Sequence, residues 1–183
     1  MSTNENLSPE IVKQLLRYDP ETGLLFWRHR EDEFFPTTRA AFAWNSKYAN
    51  KQAFTCLGAG GYYKGGILGH IFQAHRVIWA LVHGEWPDNE IDHLNHERGD
   101  NRIVNLRAVT RRQNQLNHKL HSNSWTGVHG VDLRKGKWRA SIRIYGDNKF
   151  LGSFATKKDA VKARKRAEKR NGFHPNHGLP TAP

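Results

Sequence analysis

Residues 90–120 read "EIDHLNHERGDNRIVNLRAVTRRQNQLNHKL", and this stretch decides the fold. Ile91 to His93 spell a short strand, a polar loop follows, and Leu106 to Val109 spell a second short strand. Thr110 is then an N-cap, with Gln113 three residues on as its capping-box partner, so a helix begins there. The order is β-loop-β-α. If the helix covers the strands, Asp92 approaches Asn114, with Asn117 and His118 on the next turn. A carboxylate and an amide oxygen make a hard donor pair, suited to Mg²⁺ or Mn²⁺ with water and phosphate oxygens completing the shell. His93 can be neutral at physiological pH and take a proton from water. Asn105 is placed to hold that imidazole, or the loop beside it. Neighbours on a strand point to opposite faces, so Asp92 and His93 serve one phosphate only by flanking it, or through an irregular strand.

The surroundings extend the pattern in both directions. Upstream, "GGYYKGGILGHIFQAHRVIWALVHG" (60–84) predicts two short strands about a glycine turn, then a helix from about His75 that Gly84 closes. Val77, Ile78, Leu81 and Val82 form its core face, while His75 and His83 read as ordinary helix-end histidines. Further back, "LSPEIVKQLLRYDPETGLLFW" (7–27) begins a helix with Ser8 as cap and Pro9 at its first position. A turn and a strand from Leu24 to Trp27 follow. Residues 28–50 show no clear period and are expected to be irregular. Cys56, the single cysteine, excludes a disulfide framework and is expected to be a small buried hydrophobe.

Downstream, "GKWRASIRIYGDNKFLGSF" (136–154) predicts two strands joined by a Gly-Asp-Asn turn. Trp138, Ala140, Ile142 and Ile144 alternate with Arg139, Ser141, Arg143 and Tyr145, giving one apolar face and one basic face. The helix "TKKDAVKARKRAEKR" (156–170) carries a small-residue stripe, Ala160, Ala163 and Ala167, that lets it lie close on a sheet. Its charges read as a solvated surface, and the tail from Asn171 as frayed.

Charge narrows the class of partner. Across 183 residues, 29 Lys and Arg against 17 Asp and Glu give +12, which attracts polyanions, nucleic acid before others. No long apolar run and no signal pattern is present, so a soluble intracellular protein without membrane association is expected.

With these residues in place, two resemblances can be stated. Asp92-His93, Asn105 and Asn114, within "AHRVIWALVHGEWPDNEIDHLNHERGDNRIVNLRAVTRRQNQLNH" (74–118), resemble phage HNH homing endonucleases, in the variant whose last histidine is asparagine. "LLRYDPETGLLFW" (15–27) looks like the segment that often precedes that motif. The resemblance implies a ββα-metal fold, His93 as general base, Asn105 supporting its geometry, and Asp92 and Asn114 as metal ligands, with His118 an alternative ligand. Residues 124–163 resemble the plant ethylene-response-factor (Apetala-type) DNA-binding domain through Gly127-Val128, Gly136-Lys137-Trp138, Leu151-Gly152, Phe154 and the alanine-rich helix. That family lays a three-stranded sheet in the major groove, which implies DNA-facing positions at His129, Ser141, Arg143, Asn148 and Phe150. Arg134, Lys135, Lys137 and Lys149 read as phosphate contacts, and Arg139 and Tyr145 share the basic face.

The expected protein is α+β. It has an N-terminal helix-turn-strand and irregular segment (1–53), a ββα-metal nuclease domain (54–121) and a sheet-plus-helix DNA-binding domain (122–183). The expected function is site-specific, metal-dependent hydrolysis of double-stranded DNA, with Mg²⁺ or Mn²⁺ and no small-molecule cofactor. The expected setting is the cytoplasm of a phage-infected bacterial host. A monomer suffices for nicking; cutting both strands requires a dimer or two sequential nicks. The alternative is a DNA-binding regulator that keeps the nuclease scaffold without its activity.

Overall fold

The computed structural model describes residues 7–117, 120 and 124–179. The chain forms two compact units, residues 1–109 and 110–183. The first unit is α1 (Pro9–Leu15), β1 (Leu16–Asp19), β2 (Leu24–Trp27), α2 (Thr38–Tyr48), β3 (Gln52–Ala53), β4 (Cys56–Leu57), β5 (Tyr63–Ile67), β6 (His70–Gln73), α3 (Ala74–His83), β7 (Glu90–His93) and β8 (Leu106–Val109). The second is α4 (Arg111–Gln115), β9 (Val131–Arg134), β10 (Lys137–Ile144), β11 (Asp147–Phe154) and α5 (Lys157–Arg170).

In the first unit, three antiparallel sheets share one core. Their strand orders are β1-β2-β3, β4-β5-β6 and β7-β8. The side-chain oxygen of Ser8 accepts the Ile11 N–H at 3.4 Å, and Pro9 opens α1, as the sequence predicts. Leu68 and Gly69, both at positive φ (47° and 85°), make the two-residue hairpin turn between β5 and β6. Gly84 closes α3 in the left-handed region. Val12, Leu15, Leu16 and Leu25 from the N-terminal segment pack with Ile67, Val77, Ile78, Ile91 and Leu106. Each fully buried aliphatic side chain contributes about 1.5–3 kcal/mol. Residues 7–53 therefore contribute to the same core as α3 and the β7-β8 pair, and the two compact units meet between Val109 and Thr110.

Several local expectations are corrected here. Residues 28–50 contain an 11-residue helix, α2, capped by Thr37, whose side chain accepts the Ala40 N–H at 3.2 Å. Its inner face is aromatic and polar rather than aliphatic. Trp44 lies 3.9 Å from the Arg30 guanidinium, which Trp27 covers at 4.6 Å, and Asn45 bonds both backbone groups of Arg30. Val82 turns outward at 44% exposure, and Cys56 is exposed on β4.

In the second unit, β11-β10-β9 form an antiparallel sheet with α5 packed on it through Ala160 and Ala163, and Ala167 is buried further along the helix. The β10-β11 turn is Tyr145-Gly146, both at positive φ, and Asp147 already pairs with Ile144. The expected Gly-Asp-Asn turn is thus displaced one residue upstream. Gly130 is required: a Cβ there would sit 2.2 Å from the Ser141 carbonyl oxygen. Arg164 departs from the solvated-surface expectation, being buried and paired with Glu168 at 2.8 Å. The tail is not frayed through residue 179, because Phe173 and His177 pack edge to face and His177 is buried.

Candidate active site

The β7-β8 register places Asp92 opposite Arg107 and His93 opposite Leu106. Cross-strand partners share a face, so Asp92 meets Arg107 directly: Nη2 and Nε donate to Oδ2 at 2.7 and 3.0 Å. Asp92 is 8% exposed and His93 4%. His93 turns the other way, as strand geometry requires. Its Nε2 lies 3.1 Å from Oδ1 of Asn101. Its ring packs against Tyr62 (centroids 5.8 Å) and edge to face against His75 (5.3 Å, 84°). Burial holds His93 below the ordinary histidine value, against the opposing pull of Asn101 and Asp92, so the ring is neutral at physiological pH.

His75 is a finding that the sequence alone does not reveal. Buried on the first turn of α3, it contacts His93 and Tyr62 (5.0 Å), and its Nδ1 is buried with no hydrogen-bond partner among the described residues. Burial and the neighbouring His93 push its pKa down to about 3, so it too is uncharged. Over Tyr62 lies the guanidinium of Arg98, 4.9 Å from the ring, and Arg98 Nη1 donates to the Gly60 carbonyl at 2.6 Å.

The loop between the two strands is held by its own amides. Asn105 Oδ1 accepts the Asn95 N–H at 3.0 Å, and its Nδ2 donates to the Asp100 carbonyl at 2.8 Å. Leu94 N–H donates to the Asn105 carbonyl at 2.9 Å. Of the two tasks open to Asn105, these bonds perform the second: they shape the loop. Asn95 Nδ2 and the Arg102 guanidinium both bind the Asp100 carboxylate, and Arg102 keeps that group below the usual carboxylate range.

Asn114 belongs to the second unit, on α4, where its N–H donates to the Thr110 carbonyl at 3.0 Å behind a complete Thr110–Gln113 capping box. His118 lies outside the described residues. Among the described residues no group of three or more His, Cys, Asp or Glu is placed to hold a metal ion.

The sheet of the second unit sorts the remaining candidates. Lys137 pairs with Arg134, Arg139 with Ser153 and Asp132, Ser141 with Phe150, and Arg143 with Asn148. Arg134, Lys137, Arg139, Ser141, Arg143, Asn148 and Phe150 therefore share one face. Phe150 stands 58% exposed on it, with the Arg139 guanidinium 5.2 Å above its ring. Lys149 pairs with Ile142 and so belongs to the opposite parity. Tyr145 is in the turn, stacked under Arg112 at 3.8 Å, and His129 packs on His177 ahead of β9.

A strand-loop-strand that buries a neutral imidazole beside a cation-paired carboxylate has the makings of a hydrolytic site. Residues 72–116 match the HNH endonuclease family. A protein of Acanthamoeba polyphaga mimivirus, named as an uncharacterised HNH endonuclease, is 32% identical over 107 residues, which is 57% of this chain and 55% of that protein. The chain thus spans about half the length of this relative. No solved structure matches the chain. Both matches are to HNH endonucleases. No helix among the described residues is long and apolar enough to cross a membrane.

Proposed function

We propose that the chain is a metal-dependent DNA endonuclease: the β7-loop-β8 segment supplies the chemistry, and the basic face of the second unit holds the DNA. The observation that carries this is His93, a buried neutral imidazole one residue from Asp92 and inside the segment that matches the HNH endonucleases. His93 takes a proton from water as the water oxygen bonds to phosphorus. The phosphorus-oxygen bond to the leaving strand breaks, and the leaving oxygen collects a proton from solvent.

A carboxylate and an amide oxygen suit Mg²⁺ or Mn²⁺, because such ions keep water and substrate phosphate as most of their shell. Asp92 already draws a guanidinium at 2.7 Å, which marks it as an attractor of cations. Asp92 and Asn114 are the proposed ligands, with His118 the alternative. When bound, the cation would supply Lewis-acid stabilisation of charge at phosphorus and at the leaving oxygen. The β9-β10-β11 sheet is proposed to act as an ethylene-response-factor-like reader that confines cutting to chosen sites, because phosphate attraction alone is blind to sequence.

The deciding experiment incubates supercoiled DNA with the purified chain and Mg²⁺, Mn²⁺ or chelator. Nicked or linear DNA is expected with either cation and none with chelator. His93→Ala is expected to bind DNA normally and to leave it intact. Binding without cutting under every cation would instead favour the non-catalytic regulator.

A further inference from the structure

An imidazole can take a proton only through the nitrogen that carries its lone pair, so the tautomer of His93 decides which atom faces the reaction. The structure fixes it through one amide. Nδ2 of Asn101 reaches the Gly99 carbonyl at 3.4 Å, and a carbonyl only accepts. The amide oxygen of Asn101 is thereby turned to His93, 3.1 Å from Nε2. That oxygen also only accepts, so Nε2 carries the hydrogen and Nδ1 the lone pair.

We propose that Asn101 is the positioning residue that sets the tautomer of His93 and so presents Nδ1 as the basic nitrogen. This rests on the endonuclease reading in which His93 is the base.

Asn101 is built for that task. It is 3% exposed, and its backbone is held from a distant part of the chain. The Tyr18 hydroxyl donates to the Asn101 carbonyl at 3.4 Å and accepts the Ile103 N–H at 2.8 Å. The β1-β2 turn presses on the same segment: a Cβ on Gly23 would lie 2.7 Å from the Arg102 nitrogen. The N-terminal hairpin thus braces the loop, the loop holds Asn101, and Asn101 holds the ring. Tyr62 and His75 stand against the ring and limit its rotation. Both ends of the Asn105 amide are engaged by the loop, so the two asparagines have separate tasks.

The test is ¹⁵N-histidine NMR on the full chain, with His93 assigned by the signal lost in His93→Gln, alongside cleavage kinetics. In the wild type, His93 should be the Nε2–H tautomer. Asn101→Leu, which keeps the shape but removes the acceptor, should populate both tautomers and lower kcat by about 10- to 100-fold with KM for DNA unchanged. Asn101→Asp, which restores an acceptor, should recover the tautomer and most of the rate. An Nδ1–H tautomer in the wild type overturns the proposal without any variant. So does an Asn101→Leu protein with wild-type tautomer and kcat. If Asn101→Leu does not fold, the smaller change Asn101→Ser takes its place. A chain that cuts under no condition sinks the endonuclease reading, while the tautomer spectrum still decides whether Asn101 governs His93.

Discussion

Asp92 is the residue on which stability and chemistry meet. Its carboxylate is nearly buried, and the guanidinium of Arg107, about a third exposed, satisfies it with two hydrogen bonds to Oδ2. Arg107→Ala removes that partner while the desolvated charge remains, so the first unit should lose about 1–3 kcal/mol, the scale of hydrogen bonds to charged groups. Urea unfolding of the full chain measures this, and an unchanged midpoint would mean that solvent or another group replaces Arg107 at no cost. The sequence offers Asp92, His93, Asn105 and Asn114 as candidates because their spacing falls on strand, loop and helix. It does not disclose Asn101, Tyr18, Tyr62, His75 or Arg107. Each acts through a partner set by the tertiary fold, as with Tyr18 and Ile103, 85 residues apart. A histidine on the first turn of a helix carries no local sign that the fold will press it against another.

At the level of elements, legibility followed the kind of core each one faces. The β7-loop-β8 segment, α3 and the β10-β11 hairpin bury aliphatic faces with the period of their type, and all are readable. Helix α2 is not, because Ala41, Trp44 and Asn45 make its inner face while Phe42 and Tyr48 lie exposed. What holds it is a guanidinium between two indoles. Arg30 is buried, and desolvation lowers its pKa to about 10. The aromatic faces offset part of that cost. Trp44→Ala removes one wall and leaves Arg30 facing a void, so a loss of about 3 kcal/mol is expected, the lower end for deleting a large aromatic. Hydrogen exchange should localise the change to residues 28–50. Uniform protection across α2 in the variant would show that the helix does not depend on this stack.

For the molecule as a whole, buried histidines and excess positive charge set the working conditions. Burial pushes His75 down to about 3 and His177 down to about 4, while both titrate near 6.5 in the unfolded chain. Between those values the unfolded state binds more protons, so stability is complete above about pH 6.5 and declines as pH falls through the window. The urea midpoint should therefore be level from pH 8 to 7 and drop from 6.5 towards 5, a drop that His177→Phe should reduce. Equal midpoints at pH 7.5 and 5 would contradict it. The net charge of +12 bears on DNA, and the sheet gives it direction. Arg143 and Lys149 are both exposed cations on adjoining strands, yet their register places them on opposite faces. General attraction to a polyanion would treat them alike, whereas a sheet laid against DNA would not. Arg143→Ala should weaken binding and lower the slope of log K against log salt by about one if it meets a phosphate. It should instead relax sequence preference if it meets a base. Lys149→Ala should leave both nearly unchanged, and cleavage of saturating DNA should survive either substitution, because His93 lies in the other unit. Filter binding across a salt series separates the two cases, and equal losses from Arg143 and Lys149 would mean that the sheet face does not choose the DNA.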